Sequence, residues 1–185
     1  MRERSKDLRV RRTLTAIRKS FNELVLARDY REISITDLTE RAGINRKTFY
    51  LHYTSLDDLI DEIEEEVSSD LLEHIGKYAL DMDLSGCITY FYKYLESCSK
   101  VQKKLMCDES YSFFYNAVVD KVLNSDEFSK FFNQTEHPSI VRSYTKAITS
   151  IYKDWLASGR DVEFKTLTGV ESVLVGKGYA GVIKK

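Results

Sequence analysis

The sequence has little proline, glycine and cysteine, and it contains no long apolar run. One proline and eight glycines among 185 residues exclude collagen-like and proline-rich chains. Three cysteines without a C-x-x-C pair argue against a disulfide framework and a thiolate zinc site. The sequence contains no run of 18 apolar residues, so no transmembrane helix is predicted. The charged N-terminus is not followed by the apolar block of a secretory signal. We therefore expect a cytoplasmic protein without a membrane partner.

Charge is unevenly divided along the chain. Residues 1–53 hold 13 Lys and Arg against 7 Asp and Glu, whereas residues 54–185 hold 15 against 22. The basic first segment is therefore the part of the chain expected to bind a polyanion. A basic surface that is only solvated would have the same composition. The seven acidic residues within 57–66 are interpreted as a solvated helix face.

Apolar residues recur every three or four positions along most of the chain, which predicts an all-α fold. The predicted helices cover residues 9–28, 35–42, 45–53, 55–75, 84–99, 101–107, 109–124, 127–133, 138–159 and a final segment from about 163. The residues of this final helix predicted to face inward are Phe164, Leu167, Val170 and Leu174. Its glycines weaken the helix toward the end, and the β-branched cluster at 170–175 is the one place where a strand competes.

Residues 35–52, ITDLTERAGINRKTFYLH, predict a helix-turn-helix. Gly43 is suited to the sharp turn because it accepts a left-handed conformation, and Ser34 and Asn45 are suited to cap the flanking helices. The apolar residues expected to close the corner are Leu38, Ala42, Ile44 and Phe49. Polar side chains of the second helix then face outward, as the major groove of DNA requires. Helix–Gly–helix corners also occur in proteins that bind no DNA.

Residues 8–70 resemble the N-terminal domain of the TetR family of bacterial transcriptional regulators. The resemblance rests on the Arg-Arg-Thr sequence of the basic first helix, on TDLTERAGINRKTFYLHY and on the acidic fourth helix. The Arg-Arg-Thr and Ile-Asn-Arg sequences also resemble a Firmicutes-type branch of that family. The resemblance implies an N-terminal three-helix DNA-binding domain at 8–68 and a C-terminal helical domain for dimerisation and effector binding at 69–185.

The resemblance also implies a DNA-binding role for ten residues. They are Arg12, Thr13, Ser34, Thr36, Asn45, Arg46, Lys47, Thr48, Tyr50 and His52. Arg46 and Lys47 match positions that contact base edges, and an arginine there can form two hydrogen bonds to guanine. Lys47 stands where relatives commonly have a small residue, so it is expected to add a contact to a base or to a phosphate. Most of the others match positions that bind phosphate oxygens, from which Tyr50 also reaches a thymine methyl group. Leu56 stands where the family usually has lysine, which predicts more salt-sensitive anchoring at that edge.

Aromatic residues are concentrated at 78–132, which holds 12 of the 22 in the chain. Such residues serve a helical core and also line ligand pockets. The candidates for an effector site are Tyr90, Phe91, Tyr94, Tyr111, Phe114 and Tyr115. The last two helices are similar to the dimerisation pair of the TetR family, so a homodimer is expected.

Other signals predict no cofactor and no metal. GKGYAG at 176–181 fits the G-x-G-x-x-G pattern, but no strand precedes it and no acidic residue follows at the required distance. His74 and His137 are taken to lack an acidic or cysteine partner at ligand spacing. Cys87, Cys98 and Cys107 are interpreted as small apolar side chains rather than thiol sensors.

The predicted function is therefore sequence-specific transcriptional regulation. We expect a ligand-responsive repressor that binds a palindromic operator in double-stranded DNA as a homodimer, with a small-molecule effector of unknown identity. The fourth helix joins the two domains and is expected to transmit the effect of effector binding to the DNA-binding domain. An activator or partner-dependent co-activator is the alternative, and an architectural DNA-binding protein is another. An enzyme is not expected because no nucleophile–base pair or phosphate loop is found.

Overall fold

The computed structural model describes the backbone of residues 2–180 and the side chains of residues 8–178. Ten α-helices lie in this part of the chain: α1 Arg2–Ala27, α2 Ile35–Ala42, α3 Arg46–Phe49, α4 Leu56–Leu80, α5 Leu84–Ser97, α6 Lys100–Cys107, α7 Ser112–Leu123, α8 Asp126–Asn133, α9 Pro138–Ala157 and α10 Phe164–Ala180. Single 3-10 turns occupy Tyr30–Glu32 and Glu109–Tyr111. The described residues contain no β-strand, and the predicted all-α fold is confirmed.

The helices form two compact units, to which α4 and α7 each contribute. The first unit comprises the chain up to Glu64 together with Ser99–Tyr115. Its core is built on α1, which packs against α2 and α6. The side chains fully removed from solvent include Ile17, Phe21, Leu38 and Phe49. Burial of each such side chain stabilises the fold by about 1.5–3 kcal/mol, so the basic first helix is held by its apolar stripe.

The second unit comprises Glu65–Cys98 and the chain from Asn116 onward. Helix α5 packs against α9 and α10, and α8 packs against α9. The Tyr92 hydroxyl donates a hydrogen bond of 2.8 Å to the carbonyl oxygen of Ile148, and the hydroxyls of Ser85 and Ser172 lie 2.6 Å apart. Among the described residues, no helix is long and apolar enough to cross a membrane.

The functional division at 68/69 stays a prediction, and residues 181–185 of the second predicted domain lie outside the described residues. The packing of the chain places Ser99–Tyr115 in the first compact unit, although these residues fall in the second predicted domain. The contacts that hold this segment are long-range in sequence. The Tyr111 hydroxyl and the Lys104 ammonium group both donate to the carbonyl oxygen of Arg28, at 3.2 and 3.4 Å.

Helix α10 corrects the predicted inward face of the last helix. Leu167 is buried as predicted, but Val170 and Leu174 are exposed, while Glu171 and Val175 are buried. Apolar residues occupy more than one face of this helix, so periodicity alone did not select the buried one. The buried positions follow the spacing of four from Leu167 that a helix presents to a single neighbour.

Candidate nucleic-acid interface

Helix α2 begins in a capping box that is local to the sequence. The Ser34 hydroxyl accepts a hydrogen bond of 3.1 Å from the backbone N–H of Asp37. The Asp37 carboxylate in turn accepts bonds from the Ser34 hydroxyl and backbone N–H, at 2.6 and 3.3 Å. These bonds, aided by the nearby Arg28 guanidinium, lower the pKa of Asp37 below its usual value. The box fixes the start of α2 without help from distant residues.

The turn between α2 and α3 depends on Gly43. This residue has φ +64° and donates a hydrogen bond of 3.1 Å to the carbonyl oxygen of Glu40. The N–H of Ile44 then donates to the carbonyl oxygen of Thr39 at 3.0 Å. A side chain at position 43 would meet no atom within 4 Å, so glycine is required by its conformation rather than by space.

Helix α3 begins at the next cap, Asn45, whose side-chain oxygen accepts a hydrogen bond of 2.8 Å from the N–H of Lys47. The helix covers only Arg46–Phe49, so the predicted span of 45–53 was too long. Helical bonds nevertheless continue for one turn, because the N–H of Tyr53 donates to the carbonyl oxygen of Phe49 at 3.0 Å. Phe49 and Tyr53 are buried, as predicted, and anchor this turn to the core.

The ten predicted DNA-binding residues lie in the first unit and fall into two groups by exposure. Seven are exposed: Arg12, Ser34, Thr36, Asn45, Arg46, Lys47 and Tyr50. Three are half-buried: Thr13, Thr48 and His52. Because the side-chain oxygens of Ser34 and Asn45 already accept backbone hydrogen bonds, these two residues position the helices as caps. Their proposed contacts with DNA stay predictions.

The surroundings of Arg46 and Lys47 differ from those of two neutralised arginines of the first unit, Arg18 and Arg41. Arg18 pairs with Glu62 at 2.6 Å, and Arg41 pairs with Glu23 at 3.1 Å. Within residues 8–178, Arg46 and Lys47 form no ion pair and no side-chain hydrogen bond. Two unneutralised cations at the start of an exposed helix are suited to meet an anionic surface.

Position 56 departs from the family pattern for a packing reason. Leu56 is buried and belongs to the core of the first unit. The preceding turn is closed by the backbone N–H of Thr54, which donates to the Asp58 carboxylate at 2.8 Å. Because the first turn of α4 carries no cation, more salt-sensitive anchoring to DNA at this point stays a prediction.

Leu51, whose side chain is 80% exposed, is not among the residues predicted from the sequence. It lies one helical turn after Lys47, directly beyond α3. The available signal was its spacing of four residues from Lys47, which places both on the face opposite the buried Phe49.

The six effector candidates are not brought together. Tyr111, Phe114 and Tyr115 are core residues of the first unit, whereas Tyr90, Phe91 and Tyr94 belong to the second unit. Tyr90 stacks on the His74 ring at a centroid distance of 5.3 Å. Of the six, only Phe91 lines the apolar cavity of the second unit.

That cavity, called here the α5 cavity, has a volume of about 20 Å³, room for a single water molecule. Its lining includes Cys87, Phe91, Thr145 and Thr149. Burial raises the pKa of the Cys87 thiol to about 12, which suits the predicted role as a small apolar side chain.

The assumption that His74 lacks an acidic partner is wrong. One helical turn of α4 brings ligand atoms of Asp70, Glu73 and His74 within 4.8 Å of one another. The Nδ1 atom of His74 lies 2.8 Å from the carbonyl oxygen of Asp70. All three side chains are exposed, and such a group is common without a metal ion.

Comparisons with known proteins agree with this geometry. Residues 17–63 match the family model of bacterial regulatory proteins, tetR family. Over 75 residues the chain is 32% identical to YxbF of Bacillus subtilis, an HTH-type transcriptional regulator. This match covers 40% of the chain and 20% of that relative, so the chain spans about a fifth of its length.

A second relative matches over most of both chains. The HTH-type dhaKLM operon transcriptional activator DhaS of Lactococcus lactis is 25% identical over 158 residues, which cover 82% of this chain and 83% of DhaS. Among solved structures, NalD of Pseudomonas aeruginosa, the secondary repressor of the MexAB-OprM multidrug efflux pump, has the same fold. Its TM-score is 0.65 at 19% identity, with 95% of this chain and 98% of that chain covered. Residues 17–63 are thus identified as a segment of the tetR family of bacterial regulatory proteins, and the whole chain has the fold of a TetR-like regulator.

Proposed function

We propose that the chain regulates transcription by binding a specific operator through the outward face of α3. The observation that carries the proposal is that Arg46 and Lys47 form no ion pair with the described residues 8–178, on a helix that the buried Phe49 anchors to the core. An arginine in the major groove can read guanine through two hydrogen bonds. We place this activity in the cytoplasm and assign the chain no catalytic role.

The proposal includes a homodimer formed through α9 and α10. Both helices carry exposed large apolar side chains: Ile140 and Tyr144 on α9, and Val170, Val173 and Leu174 on α10. An apolar surface of this kind on a folded chain is typical of an association site. A two-fold dimer presents two recognition helices, so we propose a palindromic operator with half-sites about 34–36 Å apart or a multiple of that distance.

We further propose that an effector controls the affinity for DNA. The α5 cavity is lined by apolar side chains and by the hydroxyl-bearing Thr145 and Thr149, with no charged residue in its lining. It therefore favours an uncharged, mainly apolar ligand, for which the cavity must expand. A ligand that prefers a conformation with the wrong half-site spacing would shift the population off DNA.

Repression is the outcome implied by the family resemblance, and activation is the second candidate. Activation is favoured by the similarity to DhaS over most of both chains, because that relative is an activator. Reporter output after deletion of the gene separates the two. An increase indicates repression, and a decrease indicates activation.

The proposal is tested by selecting duplexes from a random library with the purified full chain. We expect a palindromic motif for the wild type and a motif blurred at one position of each half-site for Arg46→Ala. The expected loss is about 1–3 kcal/mol for the preferred base. Arg31→Ala is the matched control, because Arg31 is an exposed arginine of the same unit outside α2 and α3.

Two outcomes contradict the proposal. If the wild type enriches no motif, alone or in the presence of the host's metabolite extract, sequence-specific binding by this chain is wrong. If Arg46→Ala keeps the full base preference, Arg46 does not read the operator.

A further inference from the structure

Leu51 is an apolar side chain at the surface proposed to meet DNA. It is 80% exposed, the highest value among the large apolar side chains that are described. A leucine this exposed removes little apolar surface from water when the chain folds, so its contribution to stability is small. Single exposed leucines are ordinary on protein surfaces, and the position of this one is what gives it meaning.

The backbone places Leu51 on the same face as Lys47 and Tyr50. The N–H of Tyr50 donates to the carbonyl oxygen of Arg46 at 3.1 Å, and the N–H of Leu51 donates to that of Thr48 at 3.3 Å. These bonds extend the helical turn beyond α3. Side chains three and four residues after Lys47 therefore lie beside it, and Leu51 lies opposite the buried Phe49.

Tyr50 is less suited than Leu51 to reach into a groove. Its ring packs edge-on against Phe49 at a centroid distance of 5.6 Å, which holds it toward the core. Leu51 has no ring contact and projects further into solvent. In the major groove the only apolar group on a base edge is the 5-methyl group of thymine.

We propose that Leu51 contacts a thymine methyl group and so requires thymine at one position of each operator half-site. This inference rests on the proposed function, because it needs the face of Arg46 and Lys47 to be the face that meets DNA. The unpaired cations beside Leu51 favour nucleic acid over a protein partner as the occupant of this surface. The roles then divide, since Arg46 reads guanine and Leu51 reads thymine.

The test replaces thymine by deoxyuridine, which lacks only the 5-methyl group. Each thymine of the selected operator is replaced in turn, in both half-sites, and binding of the full chain is measured at fixed salt. We expect one position at which the replacement weakens wild-type binding by about fourfold per half-site, the effect of losing one buried methyl-sized group. Leu51→Ala binds the thymine operator more weakly and is insensitive to the same replacement.

Leu26→Ala is the matched control, because Leu26 is an exposed leucine of the same unit, on α1. It keeps the wild-type response to deoxyuridine at every position. The thermal midpoint of Leu51→Ala stays at the wild-type value, since the side chain is not part of the core.

Failure of this inference is distinguishable from failure of the proposed function. If the wild type selects an operator but Leu51→Ala keeps the full response to deoxyuridine, Leu51 does not read thymine. The same conclusion follows if Leu51→Ala loses affinity equally for all duplexes. If the wild type selects no operator, the proposed function fails and this inference fails with it.

Discussion

Helix α3 of the first unit and helix α10 of the second unit distribute polar and apolar residues in opposite ways. Around α3, the apolar Phe49 is buried and the charged Arg46 and Lys47 are exposed. On α10, the charged Glu171 is only 2% exposed, whereas Leu174 is 60% exposed. The first arrangement is that of a helix in a complete globular unit. The second places a carboxyl group in the core and leucine in water.

The difference fits the two kinds of partner proposed above. A surface of unpaired cations binds DNA through charge and displaces counterions from the phosphates. Its affinity falls as the salt concentration rises, because the free energy gained by releasing counterions becomes smaller. An apolar surface associates through burial of area and responds little to salt. The inverted arrangement of α10 therefore points to a helix whose surroundings are completed by a second copy of the chain, as proposed above.

The largest expected effect comes from placing a charge on the apolar surface of α10. Leu174→Glu should convert the dimer to a monomer, measured by light scattering after size-exclusion chromatography. Because the second half-site then binds as a separate event, operator affinity should fall by about 100-fold or more. Leu80→Glu, at an exposed leucine at the end of α4, is the matched control. A Leu174→Glu variant that stays dimeric contradicts the assigned interface.

The buried carboxyl of α10 should give the fold a measurable dependence on pH. Within residues 8–178, no hydrogen-bond partner contacts either oxygen of Glu171, and burial raises its pKa from 4.5 to about 7. The folded chain then binds an extra proton relative to the unfolded chain over that range. The free energy of unfolding should fall as pH rises from about 4.5 to 7, by at most about 1.4 kcal/mol per pH unit.

Glu171→Gln should remove this slope, measured by urea unfolding at pH 5, 6, 7 and 8. Glu163→Gln, at an exposed residue just before α10, keeps the wild-type slope and serves as control. Equal slopes in the wild type and in Glu171→Gln would show that the carboxyl is not protonated in the fold.

The smallest effect expected is a change in the salt dependence of DNA binding when Lys47 is replaced. Lys47→Ala removes one cation from each half-site contact. The slope of log Kobs against log salt concentration should become shallower by about 0.9 per half-site, with a modest loss of affinity on all sequences. Leu26→Ala leaves the slope unchanged. An unaltered slope in Lys47→Ala means that this lysine neutralises no phosphate.

The parts of the fold that depend on local chemistry were predicted from the sequence. Ser34 and Asn45 cap their helices, and Gly43 adopts the left-handed conformation, because each interaction joins residues at most four positions apart. The predicted bounds of α2 agree with the structure for the same reason. Neighbouring side chains were enough to determine these features.

The features that depend on distant residues were not predicted. Tyr111 joins the first unit through a bond to Arg28, 83 residues earlier in the chain, and the richness in aromatic residues does not reveal such a contact. The burial of Glu171 instead of Leu174 depends on which face of α10 meets α5. For the DNA-binding residues, the spacing identified an outward face, but the identity of the contacted bases depends on a partner that the chain does not contain.

The capping of α2 and α3 has a consequence for how the proposed DNA specificity of this chain evolves. The bonds that shape the corner use Ser34, Asp37, Gly43 and Asn45, whereas the side chains proposed to read bases take no part in them. Substitutions at the reading positions therefore cost the fold little. A duplicated copy of the gene could acquire a new target sequence through one or two codon changes and remain folded at every intermediate step.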